Sequence, residues 1–331
     1  MRSSKKNFEE MPLISYTPLY VMKHFHRYLI IFLLLVSALV SSPAHAASSI
    51  IVDNETGHIL EEHGRDDRLP IASLTKVALA MVLLDWAKLS NTSLDTVVSI
   101  PPRVLPQGPA NPMGLQPGDR LTLRDLLYLA LLASDSEAAE TIANTVGQRL
   151  PNPQQLGPMD NFVSNMNALA RELQMKHTLF LNPTGLDAPA SQTQPYSSPA
   201  DLARLVRYAY SKPGLIFYVS QKSREIHVER AGKSFGVKIQ NTNKLLGIDR
   251  IDGVKTGHTQ HAGDCIILTS EHDPEVKREG NTVYTAPRRI IVVLLGSTDR
   301  FSEGLELIRR GWSLYDDWAA TGRSSRSSQC L

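Results

Sequence analysis

Residues 70–89 read PIASLTKVALAMVLLDWAKL, and their pattern decides the fold. From Ser73 to Leu89 there is neither proline nor glycine, so nothing interrupts a helix. Leu74, Val77, Leu79, Met81, Leu83 and Leu84 fall on all sides of it, which predicts a helix buried inside a core. Outward from it, Ser49-Ile50-Ile51-Val52 reads as a strand, Asp53 to Gly57 as a turn and His58 to Glu62 as the returning strand. The Pro- and Gly-rich stretch Pro101 to Gly118 predicts a long surface loop. Thr122 to Ala133 and Glu137 to Val146 read as helices separated by Ser134-Asp135-Ser136, and Asn161 to Leu173 and Pro199 to Tyr210 as two more. Strands are expected over Glu225–Glu229, Phe235–Ile239, Cys265–Thr269 and Ile290–Leu295, then a helix from about Ser302 to Trp318. Thr321 to Leu331 is expected to be a disordered polar tail. Strands at both ends with helices between them predict a single α/β (α+β) domain over 47–320, in which both chain ends build one antiparallel sheet beside an all-helical region.

The chain has 331 residues, 42% apolar and 21% charged, ordinary values for a protein with a core. A net charge of +2 without a Lys/Arg run argues against a nucleic-acid partner. Two cysteines, Cys265 and Cys330, make no disulfide framework, and Cys265 is expected to be a small core residue. At the N-terminus, Lys23, His24 and Arg27 precede the apolar run Tyr28 to Val40, followed by Pro43-Ala44-His45-Ala46. That is a secretory signal with cleavage expected after Ala46, which places the rest of the chain outside the cytoplasm. An uncleaved N-terminal anchor is the alternative. Residues 1–21 lie upstream of such a signal, for which Met22 makes a natural start.

Three short motifs carry chemistry. In Ser73-Leu74-Thr75-Lys76, residues three apart share a helix face, so the Lys76 amine can stand beside the Ser73 hydroxyl. A serine needs such a base, and a lysine desolvated on an apolar helix has a lowered pKa that lets it serve. Alone the motif says little; Ser3 to Lys6 matches it too. Ser134-Asp135-Ser136 lies between two helices and is equally compatible with simple capping. Lys255-Thr256-Gly257-His258 leads to the strand at Cys265 and offers a cation, a hydroxyl and an approachable backbone to a substrate carboxylate.

Together and in this order, the three resemble the S-x-x-K, S-D-N and K-T-G set of penicillin-binding proteins. The chain resembles the low-molecular-mass penicillin-binding D-alanyl-D-alanine carboxypeptidases over nearly its whole length after residue 47. Pro70-Ile71-Ala72, Met113-Gly114-Leu115, Asn182-Pro183-Thr184-Gly185-Leu186 and Asn241-Thr242-Asn243 read like the family as well. The resemblance implies a β-lactamase/transpeptidase-like fold, peptidoglycan stem peptides ending in D-Ala-D-Ala as substrate and β-lactams as covalent inhibitors. It calls for no cofactor and no metal. It implies that Ser73 attacks the carbonyl between two D-alanines, Lys76 takes the proton, and Ser134 relays a proton to the leaving amine. The backbone N–H groups of Ser73 and His258 form the oxyanion hole. Lys255, Thr256 and Gly257 hold the terminal carboxylate together with Arg300, and Ser136 faces the substrate backbone.

Ser136 departs from the family's asparagine, and losing such a contact costs on the order of 1 kcal/mol where water fills the gap. A class A β-lactamase would add an E-x-x-L-N pattern, absent between Ser136 and Lys255. A zinc peptidase would add H-E-x-x-H, also absent. A Ser-His-Asp hydrolase would need a G-x-S-x-G elbow, and none is expected. Two alternatives stay open. One is a D,D-endopeptidase, favoured by the single-domain length and by the tail Gly322 to Arg326, which shows no amphipathic C-terminal membrane anchor. The other is a non-catalytic peptidoglycan-binding protein that keeps the fold.

Overall fold

A computed structural model of the chain describes residues 47–102, 111–212 and 214–331. The extension and signal read over 1–46, and the middle of the Pro101–Gly118 loop, lie outside the described residues. The described residues begin with the hairpin β1 (Ser48–Asp53) and β2 (Ile59–His63). Its turn is fixed by Asp53, whose carboxylate accepts from Thr56 N at 2.7 Å and Thr56 Oγ1 at 2.6 Å. A 3₁₀ turn, Ala72–Leu74, opens α1 (Thr75–Leu89). The chain continues through β3 (Val97–Ser99), β4 (Arg120–Thr122) and α2 (Leu123–Tyr128), which runs into a π-helical turn, Leu129–Ala133. Next come α3 (Ser136–Gly147), α4 (Pro158–Glu172), α5 (Pro199–Tyr210) and α6 (Leu215–Val219). The last part is β5 (Ser223–Arg230), β6 (Lys233–Gln240), β7 (Ile251–Thr259), β8 (Gly263–Glu279), β9 (Thr282–Ser297) and α7 (Arg300–Ala320).

The main sheet has the order β2-β1-β9-β8-β7, antiparallel throughout, so the two chain ends do meet at the β1–β9 pair. The β-branched run Ile290–Leu295 is buried on both faces because both are covered. Ile291, Val293 and Leu295 turn to the helical core with Ile50 and Val52. Ile290, Val292 and Leu294 turn to α7, meeting Leu307, Ile308 and Trp312 beside Ile51. Helix α1 is central to the helical core, as its all-round apolarity requires.

Three expectations need correction. Strands β5 and β6 do not join the main sheet; with β3 and β4 they form a separate one, β3-β4-β5-β6. Strands β8 and β9 run past the main sheet as an exposed ribbon, where charged residues hide the alternation. The tail is ordered, not disordered. Leu331 N donates to Gly57 O at 3.0 Å, and Ser325 Oγ lies 2.8 Å from His58 Nδ1. His58 in turn stacks on Trp318 at 4.2 Å. The tail's polar groups find partners on the β1–β2 turn, which composition cannot reveal.

Candidate active site

The site lies where β7, the free edge of the main sheet, passes the 3₁₀ turn that opens α1. Two glycines allow that approach. A Cβ on Gly257 would stand 3.2 Å from Ser73 N and 3.0 Å from Ile71 O. A Cβ on Gly185, whose φ is +79°, would stand 1.8 Å from Ala72 O. Ser73 is thereby held between the sheet edge and the loop 182–187.

Lys76 sits in the first turn of α1, 0% exposed. Its Nζ lies 3.0 Å from Ser73 Oγ, 3.2 Å from Ser136 Oγ and 2.9 Å from Thr184 O. The Thr184 carbonyl is presented by Asn182, whose Oδ1 accepts from Thr184 N, Thr184 Oγ1 and Gly185 N at 3.1, 2.8 and 2.7 Å. Ser136 comes from the first residue of α3, whose cap is Asp135 Oδ1 accepting from Ala138 N at 2.9 Å. Burial pushes the Lys76 amine down to about 7, against the opposing pull of Asp135 and Glu140. Three partners suit both protonation states. The ammonium donates to all three; the neutral amine donates to two and accepts from the Ser73 hydroxyl. Proton transfer from Ser73 to Lys76 therefore needs no rearrangement.

On β7, Lys255 is 1% exposed and donates to Thr256 O at 2.9 Å. Burial holds its amine well below the usual range, with the Lys76 and Arg300 charges acting in the same direction. Thr256 Oγ1 is 2.6 Å from Thr242 Oγ1, and Thr242 N donates to Leu132 O at 3.0 Å, so this segment ties β7 to the π-helical turn before Ser134. Arg300 Nη1 donates to Gly257 O at 2.8 Å and to Asp264 Oδ1 at 3.0 Å. Asp264 Oδ1 also lies 2.7 Å from Nδ1 of the exposed His258. The site thus holds two buried lysines whose charge burial disfavours, and an arginine paired with Asp264.

Of the residues expected from sequence, Ser73, Lys76 and Ser136 meet directly, and Lys255, Thr256, Gly257, His258 and Arg300 line the facing strand or its support. Ser134 does not join them. It has left-handed backbone at φ 61°, ψ 27°, and no hydrogen bond of its hydroxyl is found among the described residues. Ser136 is 5% exposed, with its hydroxyl 3.2 Å from Lys76 Nζ. Sequence reasoning missed the Thr184 carbonyl, Asp264 and Glu137; only the Asn-Pro-Thr-Gly stretch gave a signal for the first. It also overlooked Gly232-Lys233-Ser234-Phe235-Gly236, which has the letters G-x-S-x-G. That string leads from a β5–β6 turn into the exposed strand β6, not from a strand into a helix, so it is no nucleophile elbow. Cys265 is a free, fully buried thiol pushed up to about 11 by burial, as a core residue should be.

Glu137 is 2% exposed, and among the described residues neither carboxylate oxygen has a hydrogen-bond partner. Burial, then the charges of Asp135, Glu140 and Asp119, pushes it up to about 7 from an ordinary 4.5. A raised carboxyl contributes stability that is fully present below pH 4.5 and lost as pH rises through 7. Glu137→Gln is therefore expected to flatten the melting temperature between pH 5 and 8. The wild type should lose about 2–4 °C for each kcal/mol drained over that window. Thermal melts across the range check this; parallel curves would contradict it.

Comparison with known proteins places this geometry in a family. The peptidase S11 family model, D-alanyl-D-alanine carboxypeptidase, matches residues 37–277. A D-alanyl-D-alanine endopeptidase of Pseudomonas aeruginosa is 28% identical over 281 residues, covering 84% of this chain and 78% of the relative. The carboxypeptidase DacF of Bacillus subtilis is 26% identical over 280 residues, covering 83% of this chain but only 64% of its own length. The DD-transpeptidase of Streptomyces K15 superposes with a TM-score of 0.68 at 26% identity, covering 83% of this chain and all of that one. The ampicillin-bound penicillin-binding protein D2 of Listeria monocytogenes does so at 0.61 and 26%, covering 80% and 96%. A family match over well over half of the residues, on a β-lactamase-like fold with a serine–lysine pair at its centre, means that the chain belongs to the D-alanyl-D-alanine carboxypeptidase family.

Proposed function

We propose that the chain is an exported serine carboxypeptidase that removes the terminal D-alanine from peptidoglycan stem peptides through an acyl-enzyme on Ser73. The observation that carries this reading is the Ser73–Lys76 contact at 3.0 Å, on a fully buried lysine lowered to about 7. Lys76 takes the Ser73 proton as Oγ attacks the carbonyl carbon. The N–H groups of Ser73 and His258 receive the developing oxyanion, donors each worth about 3–4 kcal/mol in a transition state. The substrate carboxylate lies between Lys255, Thr256 and Arg300. It restores the charge that burial disfavours on Lys255, so binding and charging of that lysine are coupled. β-Lactams enter as covalent inhibitors by the same attack on Ser73. Export rests on the signal pattern of residues 23–46; among the described residues no helix is long and apolar enough to cross a membrane.

A second reading is a D,D-endopeptidase, favoured because the Pseudomonas aeruginosa relative, 28% identical over 84% of this chain, is named a D-alanyl-D-alanine endopeptidase. Incubation of the purified chain with a stem pentapeptide and with a cross-linked dimer separates the two. D-alanine released from the pentapeptide is the expected result; cleavage of the dimer alone makes it an endopeptidase. Neither product would mean that the fold serves binding.

A further inference from the structure

We propose that Asp264 is a positioning residue that sets substrate specificity: by holding Arg300 it weakens the demand for a free carboxylate on the leaving residue, so that a stem peptide ending in a carboxamide is also a substrate. The inference rests on the acyl-enzyme reading above and deepens it.

A carboxylate is gripped best by two parallel N–H groups from one guanidinium. Arg300 has little left to offer in that form. Both hydrogens of Nη1 are spent, on Gly257 O at 2.8 Å and on Asp264 Oδ1 at 3.0 Å. Nε is buried, with no partner among the described residues, so a ligand does not reach it. That leaves Nη2, and one nitrogen does not make the two-pronged grip.

Asp264 also sets a negative charge beside the guanidinium, which offsets the pull that an incoming carboxylate would feel. It stands opposite His258 in the β7–β8 register, one strand in from the free edge of the sheet. The oxygen that accepts from Arg300 also lies 2.7 Å from His258 Nδ1, so the carboxylate is fixed from both sides. The other cation offered to the substrate is Lys255, whose charge burial disfavours. A carboxamide keeps an oxygen that accepts from Nη2 and from the Thr256 hydroxyl, and gives up only the charge. In a site where Arg300 is already neutralised, that charge counts for less.

The measurement is the preference for acid over amide. With the full chain, kcat/KM is determined for an N-acylated peptide ending in D-Ala-D-Ala and for the same peptide ending in D-alaninamide. Wild type is compared with Asp264→Asn, alone and in an Arg300→Gln background. Wild type is expected to prefer the acid by less than about tenfold, as a partly exposed, already paired arginine allows. Asp264→Asn keeps the shape and an acceptor oxygen but drops the charge. It is expected to raise the preference by about tenfold or more, through a lower KM for the acid. Such a gain itself reports a folded enzyme, whereas an ion pair with only a structural role predicts equal losses on both peptides. In the Arg300→Gln background the substitution leaves the preference unchanged, because Asp264 acts through Arg300. Any of three results would overturn the inference alone: a wild type that prefers the acid by about 100-fold or more, as a full two-pronged grip would give; an unchanged or lower preference in Asp264→Asn; or the same rise without Arg300. Turnover of neither peptide by the wild type would overturn it as well, and acylation of Ser73 by benzylpenicillin then shows whether the acyl-enzyme reading survives.

Discussion

Lys76→Met is expected to lower the rate of acylation by about 10²- to 10⁴-fold, the range of a positioned general base, without lowering stability. The Lys76 side chain is fully buried and its amine is held near 7 because the charged form is poorly solvated there. Methionine fills similar space with no charge to desolvate, so the variant should melt no lower than wild type at neutral pH. That pairing of lost activity with retained stability is what a base predicts and a core lysine does not. The pH dependence has a fixed sign. The base works only when neutral, so acylation should fall as pH drops below about 7 and level off above it. Stopped-flow acylation by a chromogenic β-lactam from pH 5 to 9 checks the limb. A rate independent of pH across 6 to 8, or a Lys76→Met variant within tenfold of wild type, would contradict the assignment.

Gly185→Ala carries the second large effect, although Gly185 holds no functional group. Its φ of +79° already disfavours alanine, and the added Cβ would stand 1.8 Å from Ala72 O and 2.4 Å from Ala72 C. The neighbour is backbone and cannot swing aside. Either the turn carrying Ser73 moves or the loop presenting the Thr184 carbonyl to Lys76 does. The left-handed strain alone costs about 1–3 kcal/mol, and a nucleophile displaced by an ångström can lose about 100-fold in rate. Acylation rate and melting temperature measured together test this. A variant normal in both would mean that the loop 182–187 does not set the Ser73 geometry.

Much of this was legible in the residues. An uninterrupted run that is apolar on all sides could only be a buried helix, and Ser73 to Leu89 is one, starting at Thr75 after a 3₁₀ turn. Pro199–Tyr210 was readable to the residue because Ser198 caps it and proline opens it. The β-branched run Ile290–Leu295 announced a strand with both faces covered. Where the reading stopped, tertiary partners decide. Glu225 and Phe235 begin strand-like runs, but nothing local says which sheet they join. Thr321–Leu331 is polar by composition and ordered by a turn some 270 residues earlier in the chain. Within the site, spacing predicts the Ser73–Lys76 contact, since both lie on one helical turn. The Ser136 contact spans 60 residues and depends on the left-handed Ser134 that ends the π-helical turn. Local propensity reads Ser134 and Ser136 as equivalent small polar residues; the backbone makes only the second a neighbour of the lysine.

The central claim is that Ser73 is an acylated nucleophile. The most direct test is the intact mass of the chain after incubation with benzylpenicillin, beside Ser73→Ala. The account predicts one penicilloyl adduct per wild-type molecule, mapping to the peptide that contains Ser73, and none on the variant. An unmodified wild type, or an adduct that persists in Ser73→Ala, would contradict it.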